Sequence, residues 1–345
     1  MRLKVSTSFV TYSFRNSYII PTLKGNKIRR RFYGSKTVRC LHCFTSTLDE
    51  NAWKTLSKDE KQKILETAEA AALAAGEIIT TNVGCCSLMT DNCMEKANIK
   101  DIVTQYDKEA QTAVEAIVKA AYPHHSFLGE EDVDPGASAS EAALYRALDS
   151  SQSGYIWICD PIDGTANFAA GLDLCAVTMG VVYKGVPIIG VVYDPHKREM
   201  FSAIKGHGAT LNGVPLDPPA RAVMHAKDAI INAGCPADPN AFETSMRGVL
   251  ALNGKSRGLR IIACSALTTA WIAAGRLGAH FGYDLSSWDL VAGALLIQEA
   301  GGEVTDLDGT PYKLTTRNML CSNGLVHEEV LKILHDADAV SFTRS

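Results

Sequence analysis

The sequence predicts an α+β fold of layered helices and sheets. Three observations lead there. Helical periodicity marks two early segments, a β-rich stretch fills residues 155 to about 211, and helices and strands alternate after that. Helices flanking a β-rich middle bury their apolar faces on sheets, and that produces stacked layers.

The elements follow in order. Ser57-Lys58-Asp59-Glu60 reads as a capping box. Ile64, Leu65, Ala68, Ala71, Ala72, Ala75 and Ile78-Ile79 then recur at helical spacing to about Thr81. Folded structure is expected to begin there. A second helix is expected from about Gln105 to Ala121, with Val114, Ile117 and Val118 on one face. Ser126-Phe127-Leu128 reads as a short strand that stops at Gly129-Glu130-Glu131. Residues 132–153, rich in Asp, Ser, Ala and Gly, read as a surface insertion with a short helical piece at 141–148.

Strands are expected at 155–159, 174–183, 186–193 and 199–204, with turns at Lys184-Gly185 and 194–198. Residues 206–213 lack the third glycine of a GxGxxG loop and no helical pattern follows, so they read as a turn. No GxxxxGK[ST] phosphate loop occurs. The last third predicts helices near 239–253, 265–275, 288–300 and 327–337. Strands are expected near 260–262, 279–283, 303–305 and 319–322.

Asp160-Pro161-Ile162-Asp163-Gly164-Thr165 carries the most chemistry. It follows the apolar run Tyr155-Ile156-Trp157-Ile158-Cys159, so its two carboxylates are expected where a strand ends. Carboxylates that close raise each other's pKa unless a cation neutralises them. Oxygen ligands suit a hard ion such as Mg²⁺. Backbone N–H groups at Gly164 and Thr165 suit a phosphate if a helical turn starts there.

Further acidic positions stand at Asp107, Glu130-Glu131 and Asp289, each near an element end. Alone, each has a plain reading. Asp107 and Asp289 fit the first turn of a helix, and Glu130-Glu131 fits a solvated loop, with Glu131 outside any ligand set. Lys96 reads equally as an exposed lysine or as a site contact. Asp306-x-Asp308-Gly309 lacks the downstream glutamate of a calcium loop and reads as a turn. His124-His125 lack zinc-helix spacing and read as surface.

The chain has 345 residues, is 46% hydrophobic, and has ample apolar content for a large core. Its mean hydropathy is near zero. Residues 1–48 hold ten Lys/Arg and no Asp or Glu, which leaves 24 basic against 38 acidic residues in the rest. An acidic body argues against nucleic acid as a partner. The Arg- and Ser/Thr-rich, acid-free start reads as an organellar transit peptide, mitochondrial or plastid. The alternative is a retained basic arm on a cytoplasmic protein. Arg31-Phe32-Tyr33 before Gly34-Ser35 resembles a mitochondrial processing site. Of ten cysteines, Cys40 and Cys43 form a lone CxxC, too little for zinc. Cys159, Cys175 and Cys264 read as buried thiols, and Cys85, Cys86 and Cys93 as a polar-loop cluster. No apolar run reaches the roughly 18–20 residues of a membrane span.

Taken together, the acidic motifs resemble a known family. Lys96, Asp101-Ile102-Val103-Thr104-x-x-Asp107, Gly129-Glu130-Glu131, the hexapeptide 160–165, Trp288-Asp289-Leu290-Val291-Ala292-Gly293 and Glu299-Ala300-Gly301-Gly302 resemble the inositol monophosphatase family over about residues 57–338. GEE alone is weak; the hexapeptide is strong; the set in this order is close to decisive. The resemblance implies a layered αβαβα sandwich of the sugar-phosphatase type in residues 49–345, two to three Mg²⁺ ions, lithium sensitivity and a homodimer. It implies that Glu130, Asp160 and the Ile162 carbonyl hold one ion. Asp160, Asp163 and Asp289 would hold a second, and Glu130 would assist a third. Thr165 and Asp107 would orient and deprotonate the attacking water, while the Gly164 and Thr165 N–H groups receive the phosphate.

One position departs from the pattern. Family members that act on inositol phosphate carry a glutamate seven residues before the aspartate of the WD motif; here Gly282 stands there. Ser265 aligns with a small inositol-facing residue. The expected activity is Mg²⁺-dependent hydrolysis of an inositol monophosphate of the myo-inositol 1-phosphate type. The same chemistry on histidinol phosphate, fructose 1,6-bisphosphate or a 3′-phosphonucleotide is the alternative. A catalytically silent metal-binding scaffold is the alternative of another class.

Overall fold

The computed structural model describes residues 51–84, 93–98, 101–217 and 223–343. The first helix, α1 (Lys58–Asn82), starts where Ser57 Oγ accepts from Glu60 N at 3.1 Å. The Glu60 carboxylate accepts from Tyr155 Oη at 2.6 Å, tying the helix start to the sheet below. An antiparallel ribbon of β1 (Cys93–Asn98) and β2 (Asp101–Thr104) leads into α2 (Gln105–Ala121). Cys93 thus opens a strand instead of lying in a loop; Cys85 and Cys86 fall outside the described residues, as do Cys40 and Cys43.

Next come β3 (Ser126–Gly129), α3 (Ala137–Ser150), β4 (Tyr155–Asp163), α4 (Thr165–Ala170), β5 (Ala176–Tyr183) and β6 (Val186–Asp194). β7 (Glu199–Ile204), β8 (Gly208–Leu211) and β9 (Val214–Pro215) follow. The seven strands β3 to β9 form one sheet in chain order, antiparallel except for the parallel β3–β4 pair. After them come β10 (Ile230–Ala233), α5 (Pro239–Asn253), β11 (Gly258–Arg260), α6 (Ser265–Ala273) and β12 (Ala279–Gly282). The chain finishes with α7 (Ser287–Glu299), β13 (Glu303–Asp306), β14 (Met319–Ser322) and α8 (His327–Asp336). A five-stranded sheet runs β11-β10-β12-β14-β13.

Three apolar clusters hold the layers together. The first packs α1 and α2 on one face of the seven-stranded sheet, around Ile64, Ile79, Val114, Trp157 and Met179. The second joins that sheet's other face to α6, α7 and the five-stranded sheet, through Phe201, Leu267, Leu290, Leu296 and Met319. The third packs α5 and α8 on the far face of the five-stranded sheet, around Ile231, Phe281, Leu252 and Leu334. This is the expected αβαβα order. α7 lies very close on β5: the Val291 side chain fills the space a Cβ at Gly180 would take. Only the Val291 side chain lies between helix and strand at that point, which fixes the helix that bears Asp289.

Several expectations need correction. Residues 132–153 are more than a surface insertion: α3 buries Ala143 and Leu144, in a cluster with Leu128, Ile156 and Trp288. The 206–213 stretch contains β8, the last strand but one of the sheet, with β9 at the edge. The strand expected at 260–262 is shifted to β11, and β10 was not anticipated. His125 is not a surface residue; it accepts from Trp157 Nε1 at 3.0 Å and stacks on Tyr122 and Tyr155. Cys159, Cys175 and Cys264 are buried as expected. Among the described residues no helix is long and apolar enough to cross a membrane.

Candidate active site

The hexapeptide does not follow the strand; it forms its last turns. β4 continues to Asp163, and Asp160 and Asp163 pair with Thr178 and Ala176 of β5. Three steps on one strand therefore match two on the other, which is a β-bulge. In a regular strand, residues three apart point to opposite faces. The extra residue cancels that alternation and brings both carboxylates to one side. Pro161, which has no N–H for the ladder, sits inside the bulge. Ile162 N donates to Asp160 Oδ1 at 2.9 Å and pins the turn.

Gly164 then takes a left-handed conformation, φ 91° and ψ 36°. A Cβ there would lie 2.8 Å from Leu174 O, so the turn into α4 requires glycine. Thr165 opens that helix. Its hydroxyl lies 3.1 Å from Ile162 O and 3.3 Å from Asp107 Oδ1.

Asp107 comes from α2 and is 2% exposed. Its Oδ2 accepts from Thr104 N and Thr104 Oγ1, each at 2.7 Å. The helix-start reading and the site reading thus hold together, one oxygen serving each. Glu130 arrives from β3. Gly129 is paired with Cys159 in the parallel β3–β4 ladder, so Glu130 leaves the sheet beside Asp160. Gln111 Oε1 accepts from Glu131 N at 2.9 Å and anchors that turn. Asp289 is in the first turn of α7, where its Oδ2 accepts from Ser286 N at 2.6 Å.

One carboxylate oxygen from each of Asp160, Asp163 and Asp289 lies within 4.8 Å of the others. Burial pushes Asp163 up to about 6, against the N–H of Ala266 and the thiol of Cys264, which favour the charged form. Burial raises Asp289 too, followed by the charges of Asp163 and Glu130. Carboxylates this buried and this close are stabilised in their charged form by a cation. The cluster's donors are carboxylate oxygens, which fit Mg²⁺ or Ca²⁺ and do not fit a soft metal. The Cys264 thiol beside it donates to Asp163 O at 3.3 Å, and burial holds its pKa far above the ordinary value.

A cavity of about 230 Å³ opens from this cluster. Glu130, Asp163, Gly164, Thr165 and Asp289 line one end, with Ser265 from the start of α6. The structure therefore gathers Asp107, Glu130, Asp160, Ile162, Asp163, Gly164, Thr165, Ser265 and Asp289 around one cleft. Lys96 lies on β1, and its side chain is outside the described residues. Two lining residues were missed from sequence: Asn232 and His280. The available signal was a lone histidine in the apolar strand Ala279-His280-Phe281.

The family model for the inositol monophosphatases matches residues 60–339. The chain belongs to the inositol monophosphatase family. As a member it is a phosphatase. Relatives in this family include the inositol monophosphatase of Mesembryanthemum crystallinum, 31% identical over 282 residues, which cover 79% of this chain and 96% of the relative. The Nus factor SuhB of Pseudomonas aeruginosa is 34% identical over 265 residues, 76% of this chain and 92% of that one. A solved structure of an IMPase/NADP phosphatase complexed with Mg²⁺ and phosphate is also similar. It is 27% identical, has a TM-score of 0.63, and covers 79% of this chain and 95% of its own. Such names show that inositol monophosphatase relatives differ in what they act on, so the substrate of this chain must be argued from its own cavity.

Proposed function

We propose that the chain is a Mg²⁺-dependent phosphomonoesterase that converts an inositol monophosphate, of the myo-inositol 1-phosphate type, to inositol and phosphate. The observation that carries this reading is the meeting of Asp160, Asp163 and Asp289 at the mouth of the cavity. Glu130, Asp160 and the Ile162 carbonyl would hold one ion; Asp160, Asp163 and Asp289 would hold a second. Glu130 would assist a third. When bound, Mg²⁺ lowers the pKa of a water ligand and offsets charge on the phosphate oxygens.

The chain's own groups do the rest. The N–H groups of Gly164 and Thr165, at the start of α4, receive the phosphate. Thr165 Oγ1 orients the attacking water and passes a proton to Asp107 Oδ1, 3.3 Å away. Thr104 holds Asp107 by its other oxygen, so the acceptor does not turn away. Ser265 keeps the alcohol end of the cavity small and polar. The acid-free, basic first 48 residues support delivery to an organelle, and the family supports a homodimer.

The deciding experiment measures phosphate release by the full chain, with and without Mg²⁺, beside Asp160→Asn. Substrates are myo-inositol 1-phosphate, histidinol phosphate, fructose 1,6-bisphosphate and 3′-phosphoadenosine 5′-phosphate. Mg²⁺-dependent turnover led by the inositol ester and lost in Asp160→Asn is expected. Turnover led by another ester reassigns the substrate, and metal binding without turnover of any ester makes the chain a silent scaffold.

A further inference from the structure

His280 stands on β12 at 1% exposure, and its ring lines the cavity that opens from the acidic cluster. Its partner in the parallel ladder is Asn232 of β10, which is 2% exposed. The Asn232 amide is oriented by Ile262, whose N–H donates to Asn232 Oδ1 at 3.1 Å. The NH₂ end therefore faces the ring, 3.0 Å from His280 Nδ1. Two N–H groups cannot donate to each other, so Nδ1 is the acceptor and the proton sits on Nε2. The main-chain carbonyl of Asn232, 3.2 Å from Nδ1, would accept from an Nδ1–H instead, and the shorter approach of the amide favours the Nε2–H tautomer. Burial pushes the ring down to about 4, so it is neutral at neutral pH.

Nε2 itself is buried and has no hydrogen-bond partner. A buried donor left unpaired is costly, and one kept at a binding cavity points to a ligand atom. The neighbouring strands pack closely around this nitrogen. A Cβ at Gly282 would stand 2.8 Å from Leu285 Cδ1 and 3.1 Å from His280 Nε2. A Cβ at Gly234 would stand 3.0 Å from Gly282 Cα. A side chain at 282 would therefore crowd both Leu285 and the histidine ring.

We propose that His280 determines substrate specificity, its Nε2–H donating to an oxygen of the alcohol moiety of a polyol phosphate. The site then selects a substrate oxygen with a free lone pair at that point. This inference rests on the phosphatase reading above for its reaction, but not for the state of the ring.

Two measurements on the full chain test it. The first compares wild type, His280→Ala and His280→Gln on myo-inositol 1-phosphate and on phenyl phosphate, whose alcohol moiety has no hydroxyl. His280→Ala is expected to raise KM for the inositol ester about 3- to 10-fold, the range of one neutral hydrogen bond. The kcat stays near wild type, phenyl phosphate is unaffected, and His280→Gln, which keeps an N–H, recovers part of the loss. An equal loss on both esters would assign His280 to packing alone and overturn the proposal. The second is long-range ¹H–¹⁵N NMR of the histidines in the wild type at neutral pH. An Nε2–H tautomer for His280 supports the assignment, and an Nδ1–H tautomer overturns it. If wild type hydrolyses neither ester, the inositol-ester reading fails, and the tautomer still decides the ring.

Discussion

Thr165 Oγ1 and Asp107 Oδ1 lie 3.3 Å apart, although 58 residues separate them in the chain. The contact joins the start of α4 to the start of α2. Asp107 divides its work: Oδ2 caps the helix through Thr104, and Oδ1 faces the threonine. Replacing Asp107 by Asn keeps the shape and removes the proton acceptor. The kcat is expected to fall by about 10²- to 10⁴-fold, the usual weight of a general base. Stability should fall by only about 1 kcal/mol, the scale of a helix cap. Steady-state kinetics beside thermal unfolding separates the two. Thr165→Ala should match the kinetic loss, and Thr165→Ser should retain most activity. A kcat near wild type in both Asp107→Asn and Thr165→Ala would remove the pair from the reaction.

Asp160 is 3% exposed and one of its oxygens accepts from Ile162 N. Asparagine at 160 can still accept that bond through its carbonyl oxygen, so the bulge is expected to survive. What it loses is the negative charge that would face two cations. Asp160→Asn is therefore expected to fold with an unchanged circular dichroism spectrum and to bind Mg²⁺ at least about tenfold more weakly by calorimetry. A discrimination of that size corresponds to about 1.4 kcal/mol. Equal Mg²⁺ affinity in the two proteins would place the metal elsewhere.

The pH dependence of metal binding follows from Asp163. Its metal-free pKa is about 6, against an ordinary 3.8, chiefly because it is buried. Between those values the folded chain holds a proton that the unfolded chain has lost. The sign is then fixed: this group adds stability as pH falls through about 6 and loses it as pH rises. A bound dication reverses the preference and expels the proton. Mg²⁺ affinity is expected to drop as pH falls below about 6. Titrations at that pH should also give different heats in buffers of different ionisation enthalpy. Buffer-independent heats would show that no proton leaves.

Much of this site was legible because its residues sit in short motifs at element ends. Asp160, Asp163 and Thr165 lie within one hexapeptide, and Glu130 and Asp289 mark a strand end and a helix start. The bulge was not legible. It depends on how β4 registers against β5, and nothing local in Asp160-Pro161-Ile162-Asp163 states that pairing. Nor was the His280–Asn232 pair, whose members are 48 residues apart on separate strands. β10 was missed because Ile230-Ile231-Asn232-Ala233 is short and carries a buried polar residue, which breaks the apolar run. The insertion 132–153 misled for the opposite reason. Its small residues look solvent-facing, yet Ala143 and Leu144 close a minor core against Leu128 and Trp288.

Gly164 gives the sharpest test of the turn that presents the phosphate donors. Its φ of 91° strains any residue with a Cβ, and that Cβ would also meet Leu174 O at 2.8 Å and Cys264 Cβ at 3.2 Å. Gly213 is a natural control. Its φ of 77° is also positive, but a Cβ there meets nothing within 4 Å. Gly213→Ala is therefore expected to cost backbone strain alone, roughly 1–2 kcal/mol, and to leave catalysis intact. Gly164→Ala adds a steric clash with backbone oxygen, which cannot swing aside as a side chain does. Its loss should exceed that of Gly213→Ala by at least about 1 kcal/mol. Inhibition by inorganic phosphate should also weaken, because the N–H groups of residues 164 and 165 shift with the turn. Denaturant unfolding of both variants, with phosphate inhibition measured alongside, checks the two effects. Equal stability losses and unchanged phosphate inhibition would mean that the turn tolerates a side chain and does not hold the phosphate.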